Sequence, residues 1–450
     1  VMAEVERVDA PASTVHLVGG RTLHYDRLVI ASGTTPRPDQ TPGMLGEQWH
    51  REVGEFYTFE GAVALRAQLD AFTGGRLVMH ITELPIKCPV APLEFVFLAD
   101  DYLKGKGVRE ATEIVFVTPL DGAFTKPMAS KRLGKLLTQR NITVETDFMI
   151  ESVDQDAKVI RSYDEREVPY DQLVTVPLNM GADFVAASGL GDELNYVPVD
   201  KHTCRSTQYD NIWALGDASN IPTSKAGSVA HFSVDVFVEN FQDAVAGRPL
   251  SHSFDGHANC FIESGGGKAL LLDFNYETEP MGGTFPLPKV GPMSLLKESR
   301  ANHLGKLAFR HVYWNALLPG RPLGLPADMQ TAGKVPVRPP PRSTRKDITV
   351  MSTTTIAGHE VDVNEEGFLT RPDQWSEELA PELAALIGLD LTDKHWELIR
   401  FLRTDHAAMG ETPMLRRVST QTGTPVKELF ALFPGKPAKK MAYVSGLPKP

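Results

Sequence analysis

Residues 75–107 read GRLVMHITELPIKCPVAPLEFVFLADDYLKGKG, and their pattern decides the fold of the chain. The apolar run at 77–81 predicts a buried strand, and the apolar spacing at about 91–103 predicts a helix. A strand–helix turn that binds a dinucleotide usually carries glycines. The turn at 82–90 has none, and it holds two prolines and Cys88. The sequence therefore predicts thiol redox chemistry here, in place of a nicotinamide site.

The composition limits the class of protein. A length of 450 residues suggests two to four domains. The net charge of −11 disfavours nucleic acid as a partner, and no apolar run approaches the ~20 residues that a membrane-spanning helix needs. Three cysteines exclude a disulfide-stapled secreted scaffold and are typical of an intracellular enzyme. Cys204 lies in a polar stretch and is expected to be incidental, and no metal site is predicted.

The first 45 residues predict paired strands. One of them is an apolar run that ends in the small residues Ala31, Ser32 and Gly33. Small residues at a strand end allow a cofactor to approach the backbone closely. A plain core strand followed by a turn explains the same residues equally well, so this signal needs support from elsewhere in the chain.

Residues 60–180 alternate between strand and helix patterns, which predicts a βαβ domain with a largely parallel sheet. The segment YDQLV at 170–174 resembles YDRLV at 25–29. Two such strands suggest two related halves, although five matching residues are only supporting evidence.

A second candidate for cofactor contact follows the apolar strand at 211–215. Gly216 permits close backbone approach, and Asp217 can accept a hydrogen bond from a ribityl hydroxyl. The loop after it contains Pro222 and Lys225, and Lys225 could place a positive charge near a flavin. The helix that follows favours polar or anionic groups at its N-terminus. A lone Gly-Asp is usually a turn, so the flavin interpretation depends on its combination with Ala31–Gly33.

Two further segments carry signals. Cys260 precedes a run of glycines between two apolar segments, which predicts a hairpin; with Cys88 in the same chain it becomes a redox candidate rather than a core cysteine. Residues 292–320 predict one or two amphipathic helices, in which Lys306 and Arg310 accompany tryptophan and tyrosine. That combination is typical of a membrane interface, and packing on its own domain or on a dimer partner is the alternative.

The remainder divides into a linker and a small domain. Residues 331–350 are Pro-rich and basic without apolar periodicity, which predicts a semi-extended linker. Residues 351–450 predict a small all-α domain, with helices at 373–387 and 392–409 and another that starts at Thr424. Its acidic balance disfavours DNA binding.

Residues 1 to about 334 resemble the sulfide:quinone oxidoreductases, which are flavoproteins with two dinucleotide-binding domains of the disulfide-reductase type. Four motifs carry the resemblance: YDRLVIASGTTP, CPVAPLEF with Cys88 and Glu94, LGDASNIPTSKAG, and Cys260 before its glycine hairpin. The resemblance implies an α/β fold with two Rossmann-like domains. The first βαβ unit of that family, with its G-x-G-x-x-G for the FAD diphosphate, is expected to precede Val1, so the first domain is incomplete.

The resemblance implies domains and a mechanism. Residues 1–45 and 181–255 would form the FAD-binding domain, 60–180 the second Rossmann-like domain, and 256–330 the hairpin and membrane-interface helices. Cys88 and Cys260 would form a redox disulfide that hydrosulfide opens, and the freed thiolate would reduce the flavin, which passes electrons to quinone. Attack requires a thiolate, and Glu94 is the expected base near Cys88, although a solvated helix glutamate is an equal alternative.

Residues 351–450 resemble the DsrC/TusE family of small sulfur carriers. The matching segments are GFLTRPDQW at 367–375, LTDKHWELIRFLR at 391–403 and LFPGKPAKKMAYVSGLPKP at 432–450. That family carries sulfur on a cysteine just after Gly-Leu-Pro-Lys-Pro, and the second cysteine of DsrC would fall at Ala442. The resemblance implies a tethered sulfur carrier that exchanges sulfur with sulfurtransferase or relay partners.

The combined expectation is an FAD-dependent sulfide:quinone oxidoreductase with a fused carrier, peripheral on the cytoplasmic face of the inner membrane. Its expected partners are hydrogen sulfide, quinone, the membrane surface and further copies of the chain. A type II NADH:quinone reductase is the first alternative, which the absence of glycines at 82–90 disfavours. A non-catalytic sulfur-relay scaffold is the second.

Overall fold

The computed structural model describes residues 1–287, 289–321, 326–336, 352–356, 358–364 and 366–449. The chain divides into two compact units. The first contains Val1–Ser162 and Glu167–Pro339, and the second contains Tyr163–Arg166 and Pro340–Pro450. The predicted linker at 331–350 lies outside the described residues from 337 onward.

The first unit begins with short strands, as predicted. The first three form an antiparallel sheet in the order β1-β2-β3. Along the chain the strands are β1 (Val5–Asp9), β2 (Thr14–Leu17), β3 (Thr22–His24), β4 (Leu28–Ile30) and β5 (Thr35–Arg37).

A parallel sheet with helical connections follows. The elements of this region are β6 (Val53–Gly54), α1 (Phe59–Ala71), β7 (Gly75–Ile81), α2 (Ala91–Lys106), β8 (Thr112–Val117), α3 (Pro127–Gln139), β9 (Ile142–Glu145), β10 (Ile150–Asp154), β11 (Val159–Ser162), β12 (Glu167–Pro169) and β13 (Gln172–Val176). Three of these strands, β10 to β12, form a separate antiparallel sheet. The parallel sheet has the order β6-β13-β7-β8-β9, which confirms the predicted βαβ domain. The five residues from Leu77 to Ile81 in β7 are all buried, as a central parallel strand requires.

The strands of the next segment pair with strands near the start of the chain. It contains β14 (Leu178–Met180), α4 (Asp183–Ala187), β15 (Ile212–Ala214) and α5 (Gly227–Val245). β15 pairs in parallel with β4, and the N–H of Leu215 donates to the carbonyl of Ile30 at 3.0 Å. The carboxyl ends of β4 and β15 therefore lie side by side.

The last part of this unit carries the second thiol. Its elements are β16 (Ala258–Gly265), β17 (Lys268–Phe274), β18 (Gly283–Phe285), β19 (Met293–Leu295) and α6 (Arg300–Val312). β16 and β17 form the predicted hairpin. The helix predicted over 292–320 is wrong at its start, because Met293–Leu295 pairs as a strand. Helix α6 begins at Arg300 because the Ser299 hydroxyl accepts from the N–H of Asn302 at 3.0 Å, and five π-helical residues, Tyr313–Leu317, extend it.

The second unit is mainly helical and also contains a hairpin that the sequence did not predict. Its elements are β20 (Ser352–Ile356), β21 (His359–Val363), α7 (Leu379–Leu386), α8 (Asp393–Met409), α9 (Leu415–Thr422), α10 (Val426–Leu432) and α11 (Pro437–Val444). Helix α7 begins six residues later than predicted. Pro381 explains this, because proline is tolerated in the first turn of a helix and disrupts an interior position.

Candidate functional site

Cys88 lies in the loop between β7 and α2. Its φ is +52°, a conformation that is uncommon for a residue other than glycine. Its N–H donates to the carbonyl of Lys225 at 2.7 Å, and its carbonyl accepts from the N–H of Ala91, the first residue of α2, at 2.8 Å. The loop is therefore bonded on one side to the 222–225 segment and on the other to the start of a helix.

Cys260 lies in β16 and joins the same apolar core cluster as Cys88. Both are free thiols, Cys260 buried and Cys88 half-buried. Burial, and after it the negative charge of a Cys88 thiolate, raise the pKa of Cys260 to about 12. Because that interaction requires proximity, the structure brings these two sequence-predicted residues together.

The pKa of Cys88 is also raised by burial, but several groups oppose the shift. The ammonium of Lys306 is the strongest of them, followed by the N–H of Ala91; the N–H of Val90 adds a smaller effect. A helix N-terminus and a nearby cation are the two features that most commonly favour a protein thiolate. Cys88 has both.

Glu94, the residue predicted as base, makes different contacts. Its carboxylate ion-pairs with Lys306 and accepts from the N–H of Glu263 at 2.9 Å. Glu94 thus ties α2 both to α6 and to the strand of Cys260, and it orients the cation that acts on Cys88. The sequence indicated only a membrane surface for Lys306; its position between Leu304 and Leu307 was the available signal, and in the structure its side chain is 31% exposed.

The other predicted cofactor residues meet at the paired ends of β4 and β15. Ala31 and Ser32 are exposed, and Gly33 and Gly216 have φ of +70° and +58°. No atom lies within 4 Å of a Cβ built on Gly33, so the space in front of this backbone is open. Burial raises the pKa of Asp217, whose side chain accepts no hydrogen bond among the described residues. This carboxylate is available to a ligand hydroxyl.

Lys225 has a contact that the sequence did not predict. Its ammonium donates to the carbonyls of Asp217 at 3.0 Å and Ser219 at 2.8 Å, and it lies 3.5 Å from the centroid of the Tyr196 ring. Burial lowers its pKa to about 8. Lys225 therefore links the Gly216–Asp217 turn to the Cys88 loop, which it also holds through its carbonyl. Pro222, in the same loop, is exposed.

These residues fit a flavin. The backbone is open at two adjacent strand ends, and the half-buried Asp217 carboxylate accepts no hydrogen bond in the described part of the chain. Together with the start of α5, these features provide acceptor and donor groups of the kind that a polyhydroxyl chain and a ring edge need. Both thiols lie in the core cluster that includes Ile30 of β4 and Ala214 of β15.

Helix α6 presents an apolar surface beside this site. Its only buried residue is Asn302, and the large side chains of Leu304, Leu307 and Trp314 are 63%, 60% and 59% exposed. No helix within the described residues is long and apolar enough to cross a membrane.

In the second unit the residues before the C-terminus are held tightly. The indole N–H of Trp375 donates to the carbonyl of Val444 at 2.8 Å, and Arg403 donates to the carbonyl of Ser445 at 3.0 Å. The Arg403 guanidinium lies 4.4 Å from the Trp375 ring centroid. Gly446, with φ of +61°, turns the chain against that indole.

Comparisons with known proteins match both units. A family model described as "DsrC like protein" matches residues 355–450. The sulfurtransferase TusE of Salmonella typhimurium is 36% identical over 100 residues, which cover 21% of this chain and 92% of TusE.

The first unit has different relatives. The mitochondrial sulfide:quinone oxidoreductase of Dictyostelium discoideum is 27% identical over 311 residues, 68% of this chain and 67% of that protein. The chain thus spans about two thirds of the length of the curated oxidoreductases that it matches. The crystal structure of the sulfide:quinone oxidoreductase from Aquifex aeolicus superposes with a TM-score of 0.59 at 20% identity, covering 70% of this chain and 76% of that one. This likeness shows that the first unit has the α/β fold of that structure.

Proposed function

Residues 355–450 belong to the DsrC-like family and the region before them is similar to sulfide:quinone oxidoreductases, and from that premise we propose that the chain oxidises sulfide and passes the sulfur to its own carrier domain. The proposed electron acceptor is a membrane quinone, and the proposed cofactor is FAD. The proposed redox pair is Cys88 and Cys260, with Lys306 and Glu94 as supporting groups.

The observation that carries this proposal is the meeting of the two thiols. Cys88 and Cys260 belong to different elements, yet Cys88 packs against the core cluster that contains Cys260, and the charge of a Cys88 thiolate raises the pKa of Cys260. The pair lies beside the strand ends that fit a flavin. Cys204, in contrast, is buried elsewhere, and its pKa is raised to about 12 by burial.

The proposed reaction opens a Cys88–Cys260 disulfide. Hydrosulfide adds to the sulfur of Cys260, the bond between the two cysteine sulfurs breaks, and Cys88 leaves with the electron pair as a thiolate. Cys260 becomes a persulfide. Cys88 is the better leaving group, because Lys306 and the first N–H groups of α2 stabilise its thiolate. Each turnover removes two electrons from hydrosulfide and places them on a quinone, which takes up two protons.

A bound flavin supplies the two-electron acceptor between the thiolate and the quinone. We assign its contacts to Ala31, Ser32, Gly33, Gly216 and Asp217, with Pro222 and Lys225 shaping the loop that carries them. Residues 1–45 and 181–255 then act as the flavin-binding domain, and 60–180 act as the second Rossmann-like domain.

Helix α6 would bring this chemistry to a membrane surface. Its exposed apolar residues favour a bilayer interface, where a quinone is available. Residues 256–330 would thus combine the second thiol with a peripheral membrane contact on the cytoplasmic face.

The carrier domain gives the sulfur a destination. Domains joined by a short flexible linker meet at an effective concentration in the ~mM range. The persulfide sulfur would be handed over within the chain and then exchanged with sulfur-relay partners.

Anaerobic stopped-flow spectroscopy of the flavin-loaded full chain tests the proposal. Sulfide should bleach the flavin absorbance, NADH should not, and added quinone should restore it. Cys88→Ser should abolish the sulfide reaction, whereas Cys204→Ser should leave it unchanged.

Two results would reject the proposal. Bleaching by NADH alone would indicate the NADH:quinone reductase alternative. A chain that binds flavin but responds to neither donor would indicate a relay scaffold.

A further inference from the structure

The hairpin formed by β18 and β19 ends in an apolar tip that the proposed function does not use. The tip, residues 286–292, reads PLPKVGP, and its Leu287 and Val290 are 62% and 79% exposed. The carbonyl of Leu287 accepts from the N–H of Gly291 at 2.9 Å and from the hydroxyl of Thr284 at 3.0 Å. The tip is thus closed by hydrogen bonds of its own hairpin, while its large apolar side chains remain exposed.

The hairpin packs against α6, and its contacts show in which direction the tip lies. The side chain of the buried Asn302 accepts from the N–H of Ser294 at 2.8 Å and donates to the carbonyl of Ser294 at 2.8 Å. Met293 is one residue closer to the tip and meets α6 about one turn later, where a Cβ on Gly305 would lie 2.7 Å from its sulfur. Because the strand runs back toward the tip as the helix advances, the tip is directed toward the last turns of α6. Val290 lies at most about 10 Å beyond Met293, since three residues of extended chain span no more.

The sequence around the tip is basic in a chain that is acidic as a whole. Residues 286–321 contain six lysines and arginines and one glutamate, a net charge of +5, so the total of −11 leaves −16 for the remaining residues. Lys289 in the tip and Arg310 on α6 are exposed, and neither has an ion-pair partner among the described residues. Cations beside exposed leucine, valine and tryptophan are complementary to the surface of an anionic bilayer.

The composition of the tip favours lipid over an added protein strand. β18 is at the edge of its sheet, where a strand of a partner could pair. Three of the seven residues at 286–292 are prolines, which have no N–H to donate to such a strand. The same prolines leave fewer N–H groups to be removed from water at a bilayer interface, where an unpaired N–H is costly.

We infer that the tip of the β18–β19 hairpin enters the interface of an anionic bilayer as a second anchor beside α6. This inference rests on the proposed function, which brings α6 to a membrane surface. Once one anchor is bound, the other meets the same bilayer at a high effective concentration, so the two together bind more tightly than either alone. Two separate anchors also fix how the molecule is oriented on the membrane.

Cosedimentation of the flavin-loaded full chain with vesicles tests the inference. The vesicles consist of phosphatidylcholine alone or of phosphatidylcholine mixed with phosphatidylglycerol. Leu287→Ser removes an apolar side chain and should weaken binding to both kinds of vesicle by roughly tenfold. Lys289→Gln should weaken binding to the mixed vesicles by about fivefold and leave binding to phosphatidylcholine nearly unchanged. Val63→Ser is the matched control, because Val63 lies on α1 and is 57% exposed, close to the 62% of Leu287.

Thermal unfolding and flavin content establish that each variant is folded. Parental binding by Leu287→Ser, or an equal loss in Val63→Ser, would overturn the inference and leave the proposed function intact. A changed sedimentation coefficient of Leu287→Ser without lipid, at unchanged vesicle binding, would also overturn it and would assign the tip to a contact between copies of the chain. A parent chain that binds neither kind of vesicle would overturn both membrane contacts, whereas bleaching of the flavin by sulfide in solution tests the oxidation of sulfide separately.

Discussion

Lys306 determines how much thiolate Cys88 can form, although the two residues are distant in sequence. Its ammonium lies close enough to be the strongest of the groups that oppose the burial-driven rise in the pKa of Cys88. Its own pKa is lowered by burial and raised by Cys88. The interaction is therefore mutual, as expected for two groups in one partly dehydrated site.

Replacing Lys306 with glutamine should raise the pKa of Cys88, because it removes the cation that most strongly opposes the rise caused by burial. A raised pKa means that less thiolate is present at neutral pH and that the thiolate recovers as pH rises. Alkylation of Cys88 by iodoacetamide as a function of pH measures this directly. Lys306→Arg keeps the charge and should change the profile little, and Arg310→Gln on the same helix is the control. An unchanged alkylation profile for Lys306→Gln would contradict the role.

Local sequence was enough to find the two thiols, because each lies in a turn or hairpin whose residues are contiguous. It was not enough to place Lys306, whose partner Glu94 is 212 residues away. Helical periodicity showed that Lys306 interrupts an apolar surface but not which strand or helix it would meet.

At the scale of elements, one side of helix α6 contacts the elements that carry the thiols, and the other side is exposed. Glu94 of α2 and Glu263 of β16 pair with Lys306 and His303, one turn apart. The exposed leucines and Trp314 occupy the remaining surface. The sequence predicted the amphipathic character of this segment, and only the tertiary contacts showed which residues bind inward.

Leu307→Asp should weaken binding of the full chain to vesicles of anionic phospholipid by roughly thirtyfold, because burying one leucine contributes about 2 kcal/mol. Cosedimentation with the vesicles measures the bound fraction. Leu386→Asp is the control, since Leu386 lies on α7 and is 64% exposed, close to the 60% of Leu307. Equal losses in both variants, or none in Leu307→Asp, would argue against α6 as the contact surface.

The stability of the carrier domain should be sensitive to substitution of one glycine in its last turn. A Cβ on Gly446 would lie 2.4 Å from the Trp375 indole, and its φ of +61° disfavours other residues. Gly446→Ala should lower the free energy of unfolding of this domain by about 2 kcal/mol or more. Gly388→Ala, at φ of +66° with no atom within 4 Å, should cost only about 1 kcal/mol. Hydrogen exchange of α11 amides gives both values, and equal costs would show that the indole contact is unimportant.

For the whole molecule, the end of the first unit is secured by a buried ion pair. Lys334 pairs with Asp273, which also bonds His257, and the side chains of Lys334 and Asp273 are 4% and 0% exposed. The main chain of Val335 pairs with Gly282 on both sides. The last described residues of this unit are therefore bonded to its core. The sequence did not predict these contacts, because Lys334 lies in the Pro-rich segment that was interpreted as a linker.

Lys334→Met should lower the free energy of unfolding by about 3 kcal/mol, because it leaves the Asp273 carboxylate buried without its cation. Burial alone would raise the pKa of Asp273, but His257 and Lys334 lower it. The stabilisation is thus present at neutral pH and is lost as pH falls through that lowered pKa. Urea unfolding at several pH values measures both effects. The double variant Asp273→Asn, Lys334→Met should lose less than Lys334→Met alone, and a larger loss in the double variant would contradict the account.

The hydrogen bond from the N–H of Cys88 to the carbonyl of Lys225 has a wider consequence. The ammonium of Lys225 also donates to the carbonyl of Asp217, so one residue joins the Cys88 loop to the Gly216–Asp217 turn. Many enzymes shut a lid over a large substrate before they react. Under the proposed function the substrate is a diatomic anion, hydrosulfide, which would need no such gate and could react in a site that is already assembled.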